Sequence, residues 1–160
     1  MRNQKVLFIT QAALIAAVYV VLTVLGAAYS FGEVQVRLSE MLTILPVFTP
    51  AAIPGLFVGC LLGNTFGGAH IADILIGSLT TLVAAFLTHK IGEKNMLLAT
   101  LPPILLNALI VPFVLKYAYG IPLPIPMMML TVGIGQVLSC GVLGSILGTL
   151  LKKNKQVIFR

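Results

Sequence analysis

Charged residues are scarce in this chain of 160 residues: they make up 9% of it, and only four are Asp or Glu. Hydrophobic residues account for 59%, a balance that water-soluble domains of this length do not have. The composition therefore predicts an integral membrane protein. Its apolar runs are broken by Gly and Pro and not by regular polar alternation, which favours helices over a β-barrel. The predicted fold class is all-α.

Motifs for catalysis and metal binding are also missing. The sequence contains no GxxxxGK[ST] nucleotide loop, no HExxH and no Ser-His or Cys-His pairing typical of a nucleophile. Cys60 and Cys140 lie in apolar stretches without a CxxC spacing, which predicts buried thiols. His70 and Asp73, three residues apart, are too few ligands for a metal site. We therefore predict a protein that is not an enzyme, holds no metal or cofactor and does not itself use ATP.

Six apolar segments are predicted to be membrane helices forming one domain over residues 1–160. They cover residues 6–28, 36–48, 52–65, 72–88, 96–116 and 127–151. The second and third are short because the run between Glu40 and Asp73 is too long for one crossing and contains Pro50 near its middle. Two short spanning helices and a re-entrant hairpin both fit this run. The glycines of the last segment predict that it is the most closely packed helix.

The basic residues indicate the topology. The net charge is +6, but the Lys and Arg residues form short clusters between apolar runs instead of one patch, so nucleic acid is not the predicted partner. With six crossings of the cell membrane, eight of the ten basic residues fall on one side. The positive-inside rule makes that side cytoplasmic, together with both termini.

The opposite, outer side collects most of the polar chemistry. Glu33, Arg37 and Glu40 lie between the first two apolar runs, and a charged residue at bilayer depth indicates a functional site. A salt-bridged helix cap at the membrane surface is the alternative. Asn64 and Asp73 lie on the same side, where Asp73 is also a candidate helix N-cap.

Uncharged side chains add further candidates for ligand contact. Asn107 and Gln136 are amides deep in apolar sequence, where they either tie helices together or contact a ligand. The aromatic residues near the outer ends either stack on a planar ligand or belong to an interfacial aromatic belt; they are Phe66, Tyr117 and Tyr119.

Two overlapping pairs of alanines lie in the first segment. Ala12 with Ala16 and Ala13 with Ala17 have the spacing that lets another helix approach closely. That helix belongs either to a partner protein or to this chain.

Several of these segments resemble one known family. VQVRLSEMLTILP at 34–46, FTPAAIPGLFVGC at 48–60 and DILIGSL at 73–79, with the alanine pairs and the six-segment plan, are similar to the QueT family. That family consists of S components of energy-coupling factor transporters associated with uptake of queuosine precursors, which are 7-deazaguanine bases. The resemblance implies an outward-facing substrate site, a transmembrane coupling protein that packs on the alanines, and two ATPase subunits that use ATP. It also implies delivery by toppling in the bilayer.

The chemistry of a deazaguanine suggests a role for each candidate. We expect Glu40 to accept hydrogen bonds from the donor edge and Arg37 or Asn107 to donate to the carbonyl. Asp73 or Asn64 would make further contacts or, for an aminomethyl substituent, supply the counter-charge. Phe66 or Tyr117 would stack on the ring.

Two other functions remain open from the sequence. One is an S component for another vitamin or small heterocycle. A cobalt or nickel S component does not fit, because position 2 is Arg2 and not the histidine expected there. The other is a self-associating channel or scaffold that uses the GxxxG register of Gly144 and Gly148.

Overall fold

The computed structural model describes residues 3–26, 36–92 and 95–153, and these ranges contain helices and turns but no strand. The six α-helices are α1 (Gln4–Leu25), α2 (Ala52–Phe66), α3 (Ile71–Gly92), α4 (Leu101–Tyr117), α5 (Ile125–Gln136) and α6 (Gly144–Lys153). A 3-10 helix (Leu38–Val47), a 3-10 turn (Leu98–Thr100) and a π-helix (Val137–Leu143) complete the described secondary structure. The all-helical prediction is confirmed.

Four helical stretches are long and apolar enough to cross a membrane: Gln4–Leu25, Ile71–Gly92, Leu98–Tyr117 and Ile125–Lys153. The chain is therefore a multi-pass membrane protein. The 3-10 helix has 10 residues and α2 has 15. At about 2.0 and 1.5 Å per residue they extend roughly 20 Å and 22 Å, less than the ~30 Å hydrocarbon core of a bilayer.

The second apolar segment was predicted to be a short helix over 36–48, and it is helical from Leu38 to Val47, with 3-10 geometry. The Thr43 hydroxyl donates to the carbonyl of Glu40, three residues earlier, at 2.6 Å. Pro46 has no N–H and therefore donates no backbone hydrogen bond within the helix. The chain turns between this segment and α2 at Thr49 and Pro50, and Thr49 Oγ1 donates to Gln11 Oε1 at 2.9 Å.

Helices α1 and α2 run parallel and approach each other closely. A Cβ built on Gly55 would lie 2.8 Å from the carbonyl oxygen of Ala12, and one on Gly59 would lie 2.8 Å from Tyr19 Cβ. Gly63 continues this row four residues later on α2. Small residues at this spacing let two helix backbones come together without intervening side chains.

The glycines of the last segment pack less tightly than predicted. A Cβ on Gly133 would make an ordinary contact of 3.7 Å with Ala108, and even on Gly148 the nearest atom, Ile44 Cγ1, would be 3.1 Å away. The contact between α1 and α2 is tighter than that of any of these glycines, because a Cβ on Gly55 or Gly59 would lie only 2.8 Å from α1. The segment predicted as one α-helix over 127–151 is interrupted by the π-helix between α5 and α6.

The remaining boundaries shift by one turn or less. Helix α1 ends at Leu25, while the end predicted for it, Ala28, lies outside the described residues. Helix α3 continues to Gly92, about one turn beyond its predicted end. The helix predicted over 96–116 begins as a 3-10 turn at Leu98 and becomes α-helical at Leu101.

The segments alternate in direction, so that one end of the bundle becomes polar. Arg37, the residue just before the 3-10 helix, bonds Asn64 near the end of α2, and the 3-10 helix ends at Val47, which contacts Gly92 at the end of α3. Arg37, Asn64 and the start of α3 at Ile71 therefore lie at one end, which we call the site end.

Candidate functional site

Three charged side chains are buried at the site end. Arg37, Glu40 and Asp73 are 4%, 2% and 1% exposed, and they are the charged residues that are buried within ranges 3–26, 36–92 and 95–153. Removing a charge from water is costly, so buried charges occur where they are paired or where function requires them. Their common location predicts one site.

Glu40 is held from two sides. The Tyr19 hydroxyl donates to Glu40 Oε1 at 2.6 Å, between two fully buried side chains. Arg37 Nε lies 4.0 Å from the same oxygen, which makes an ion pair. Glu40 Oε2 is buried and accepts no hydrogen bond from the described part of the chain. One oxygen thus fixes the carboxylate, and the other is left to accept a donor.

Asn64 connects the two halves of the charged cluster. Its Oδ1 accepts a hydrogen bond from Arg37 Nη2, and its Nδ2 donates to the carbonyl oxygen of Asp73 at 3.4 Å. The same Nδ2 lies 3.6 Å from the sulfur of Cys60. The amide therefore positions the guanidinium against the start of α3.

Asp73 does not cap α3, so the N-cap interpretation is wrong. The helix starts at Ile71, and it is His70 Nδ1 that accepts the N–H of Ala72, at 3.2 Å. The Asp73 carboxylate instead faces the cluster. The Tyr119 hydroxyl donates to its Oδ2 at 3.3 Å, whereas Oδ1 is buried and has no hydrogen-bond partner among the described residues.

Tyr119 links this carboxylate to the surface. Its hydroxyl accepts the N–H of His70 at 2.9 Å, and its ring lies 5.8 Å from the imidazole of His70. Partial burial raises the pKa of the Tyr119 phenol, and the nearby Asp73 adds to this effect while the His70 N–H opposes it. The phenol therefore stays protonated and keeps donating to Asp73.

A second polar group lies beside Glu40. Asn107 Nδ2 donates to Gln136 Oε1 at 3.2 Å and joins α4 to α5, as the helix-tying interpretation predicts. The sulfur of Cys140, in the π-helix, lies 3.1 Å from Gln136 Oε1 and 3.5 Å from the carbonyl oxygen of Glu40. Ser139 Oγ, in the same π-helix, is buried and has no hydrogen-bond partner within the described ranges. Single-turn π segments are frequent at functional sites.

Two of the three predicted stacking residues lie apart from the cluster. Phe66 and Tyr117 are 68% and 78% exposed, and Tyr117 lines an apolar groove of about 600 Å³ with Ile76, Leu109 and Phe113. The lining of this groove contains none of the buried charges, so we place the site at the charged cluster. Glu33 lies outside the described residues.

Tyr119, predicted to stack on a planar ligand, contacts the cluster through its hydroxyl, which donates to Asp73. Tyr19 also belongs to the cluster, although the sequence did not single it out as a site residue. A lone tyrosine within an apolar span looks like an apolar core residue, and the hydroxyl contact with Glu40 depends on the parallel packing of α1. Both cysteines are buried, as predicted. The described residues contain no group of three His, Cys, Asp or Glu side chains that could hold a metal ion.

The alanine pairs on α1 face different directions. Ala16 is buried against α2 and Ala12 is half-buried, whereas Ala13 and Ala17 are exposed. A surface groove of about 270 Å³ follows this face, lined by Phe8, Ile9, Ala12, Ala13, Ala16, Pro54, Gly55 and Val58. The pair Ala12 and Ala16 is thus used for packing within this chain, whereas Ala13 and Ala17 remain exposed on the surface of α1.

Comparison with known proteins identifies one transporter family. The profile of the family described as "QueT transporter" matches residues 9–153. A protein of Lactococcus lactis subsp. cremoris (strain MG1363), named "Queuosine precursor transporter QueT", is 35% identical over 85 residues. That match spans 52% of this chain and 50% of the relative. No solved structure matches the chain significantly.

Proposed function

The chain belongs to the QueT transporter family, and on this premise we propose that it is the substrate-binding S component of an energy-coupling factor importer for a queuosine precursor. Membership of a transporter family makes it a transporter and not an enzyme. The substrate would be a 7-deazaguanine base, bound with high affinity and delivered by toppling in the membrane.

The observation that carries this proposal is the buried charged cluster around Glu40. Its Oε2 has no hydrogen-bond partner within the described ranges and lies next to a fixed guanidinium. A guanine-like edge offers adjacent N–H donors that a carboxylate accepts, and its carbonyl accepts from a guanidinium or an amide. Glu40 would receive the donor edge, and Arg37 or Asn107 would bind the carbonyl.

The other candidates surround this pair. Asn64, Asp73 and Gln136 supply further polar contacts. Phe66 and Tyr117 would have to turn inward to stack on the base, because both side chains are largely exposed. Tyr19 would act by orienting Glu40, through its hydrogen bond to Oε1.

The direction of the site follows from the charges. Lys5, Lys90 and Lys152 lie near the starts or ends of their helices, away from the site end. By the positive-inside rule, these lysines would be cytoplasmic and the site end would face outward. An outward-facing site in the resting state suits a protein that captures its substrate before import.

The partners would be a transmembrane coupling protein and two ATPase subunits. The chain has no nucleotide loop of its own, so the partner ATPases would supply the energy. The exposed Ala13 and Ala17 offer the coupling protein a flat helix face.

A binding titration tests the substrate. The purified protein, in detergent or nanodiscs, is titrated with 7-deazaguanine bases, and with guanine and riboflavin for comparison. We expect a deazaguanine to bind more tightly than either comparison compound. Tighter binding of riboflavin would favour another vitamin as the substrate, and no preference among the compounds would remove the substrate assignment.

Copurification tests the partners. The tagged protein should bring down a membrane coupling protein and ATPases, and a variant with Ala13→Leu and Ala17→Leu should lose them. Leu14→Ala is a matched control, because Leu14 is also exposed on α1 but lies outside the alanine pairs. A wild type that brings down no coupling protein or ATPase would contradict the transporter complex and favour a self-associating membrane protein. Copurification that the double variant leaves unchanged would show that Ala13 and Ala17 are not the docking face.

A further inference from the structure

The carbonyl oxygen of the buried Pro46, near the end of the 3-10 helix away from the site, has no backbone donor in helical reach. A 3-10 bond would use the N–H of Thr49, but that group donates to the carbonyl oxygen of Leu45 at 3.1 Å. An α-helical bond would use the N–H of the residue four positions on, which is Pro50 and has none. Because a buried carbonyl without a donor costs free energy, its partner must come from elsewhere in the chain.

His89 of α3 supplies this donor. Its Nδ1 lies 2.6 Å from the carbonyl oxygen of Pro46. Because a carbonyl oxygen only accepts hydrogen bonds, the imidazole carries a proton on Nδ1 in this contact. His89 is half-buried in the last turn of α3. The bond therefore joins the end of the 3-10 helix to the end of α3, away from the charged cluster.

The next residue of the 3-10 helix packs at the same junction. A Cβ on Gly92 would lie 2.5 Å from Cγ2 of Val47 and 3.0 Å from its Cβ. The valine side chain thus occupies the space that any larger residue at position 92 would need. A hydrogen bond and a close packing contact, made by adjacent residues, fix this end of the 3-10 helix against α3.

The 3-10 helix and α3 are also joined at the site end, so that they form a closed frame. There Arg37 bonds Asn64, whose Nδ2 donates to the carbonyl oxygen of Asp73 near the start of α3. Along the 3-10 helix, Glu40 lies about 12 Å from Pro46, at about 2.0 Å per residue. Seven of the ten residues of this helix are buried, and close-packed interiors transmit strain. A displacement at Pro46 therefore shifts Glu40 relative to Asp73.

We propose that His89 is a positioning residue for the substrate site. Its hydrogen bond to Pro46 fixes the axial position of the 3-10 helix on α3 and thereby holds Glu40 in register with Asp73. His89 lies at the end of the bundle opposite the site, so loss of its bond lowers the affinity of the site from the other side of the membrane. Release of a substrate on that side requires such a change. This inference rests on the proposed function, because the site that His89 positions is the one assigned to the substrate.

Substitutions at the junction test this role. Affinity is measured for the 7-deazaguanine base that binds the wild type most tightly, at a temperature at which every variant is folded. His89→Phe keeps a ring but removes the donor, whereas His89→Asn keeps an N–H donor at the position of Nδ1. Gly92→Ala disturbs the junction independently, because the added Cβ meets Val47. Thr88→Val is the matched control, because it removes a buried bond of 2.9 Å from the adjacent residue of α3 to Ala99 in the 3-10 turn and not to the 3-10 helix.

We expect His89→Phe and Gly92→Ala to weaken binding by about 2- to 12-fold, which is the net worth of one neutral hydrogen bond expressed as affinity. His89→Asn should bind like the wild type. Thr88→Val should lower the melting temperature without changing the affinity. Unchanged affinity in His89→Phe, no recovery in His89→Asn, or an equal loss in Thr88→Val would overturn the positioning role and leave the proposed function intact.

Hydrogen exchange tests the same bond without a ligand. The backbone amides of the 3-10 helix should exchange faster in His89→Phe than in the wild type, and Thr88→Val should leave their exchange unchanged. Equal exchange in all three proteins would overturn the proposal. A wild type that binds no deazaguanine would overturn the proposed function, and hydrogen exchange would still decide whether His89 holds the 3-10 helix in place.

Discussion

Replacing Glu40 by Gln separates ligand binding from folding, because the substitution keeps the shape of the side chain. The amide oxygen of the glutamine can still accept a hydrogen bond from the Tyr19 hydroxyl, which lies 2.6 Å from Glu40 Oε1 in the native protein. The amide NH₂ group then replaces Oε2, the oxygen that has no hydrogen-bond partner within the described ranges. A ligand edge made of N–H donors would then meet a donor instead of an acceptor.

The expected loss of affinity is that of at least one hydrogen bond to a charged group, about 1.5–3 kcal/mol. With about 1.4 kcal/mol per factor of ten, this corresponds to roughly 10- to 150-fold weaker binding. The fold should survive, because Arg37 keeps the Asp73 carboxylate as a counter-charge in the same cluster. Calorimetric titration and thermal unfolding of one preparation measure both quantities.

Arg37→Gln provides the contrast. It leaves the carboxylates of Glu40 and Asp73 buried without the guanidinium. Removing one partner of a buried ion pair lowers the free energy of unfolding by about 3–5 kcal/mol. We expect a large drop in melting temperature for this variant. If Glu40→Gln binds the deazaguanine with full affinity, the carboxylate does not contact the ligand, and the cluster is a structural ion pair.

Three further substitutions test the packing around the site. Tyr19→Phe removes the hydroxyl that holds Glu40 and should cost about 1.5–3 kcal/mol in chemical denaturation; an unchanged unfolding midpoint would contradict this. Gly59→Val should prevent the close approach of α1 and α2 and abolish the monodisperse peak in size-exclusion chromatography. Asn107→Leu leaves Gln136 Oε1 with only the weak donor of the Cys140 thiol and should lower stability by about 1–3 kcal/mol, whereas equal melting temperatures would show that the bond to Asn107 is dispensable.

The charged part of the cluster was predictable because charge is so rare in this sequence. In a chain with four carboxylates, Glu40 and Asp73 stand out within apolar surroundings, and the cost of a charge at bilayer depth indicates function without any structure. The alternation of segments then predicted the same membrane side for both. The structure brings them together with Arg37 and Asn64, as this reasoning requires.

Geometry that depends on tertiary contact was not predictable. Seven of the ten residues of the 3-10 helix over Leu38–Val47 are buried, all of them between Ser39 and Pro46. The helices packed around it therefore decide its geometry more than its own helical propensity does. The role of Tyr19 requires the parallel packing of α1 on α2. That packing depends on Gly55 and Gly59 of α2, about 40 residues further along the chain. The spacing of residues within α1 alone therefore does not predict it.

The packing of α1 also decides which alanines can report on a partner. Ala16 and Tyr19 are three residues apart on the buried face of α1, and Gly59 of α2 packs against both of them. A bulky residue at Ala16 would push α2 away, displace Tyr19 and thereby disturb Glu40, so it would weaken substrate binding and partner association together. Ala17 is exposed, and a bulky residue there leaves the contact between Tyr19 and Glu40 in place. Only substitutions on the exposed pair can therefore separate a docking surface from the site that it would serve.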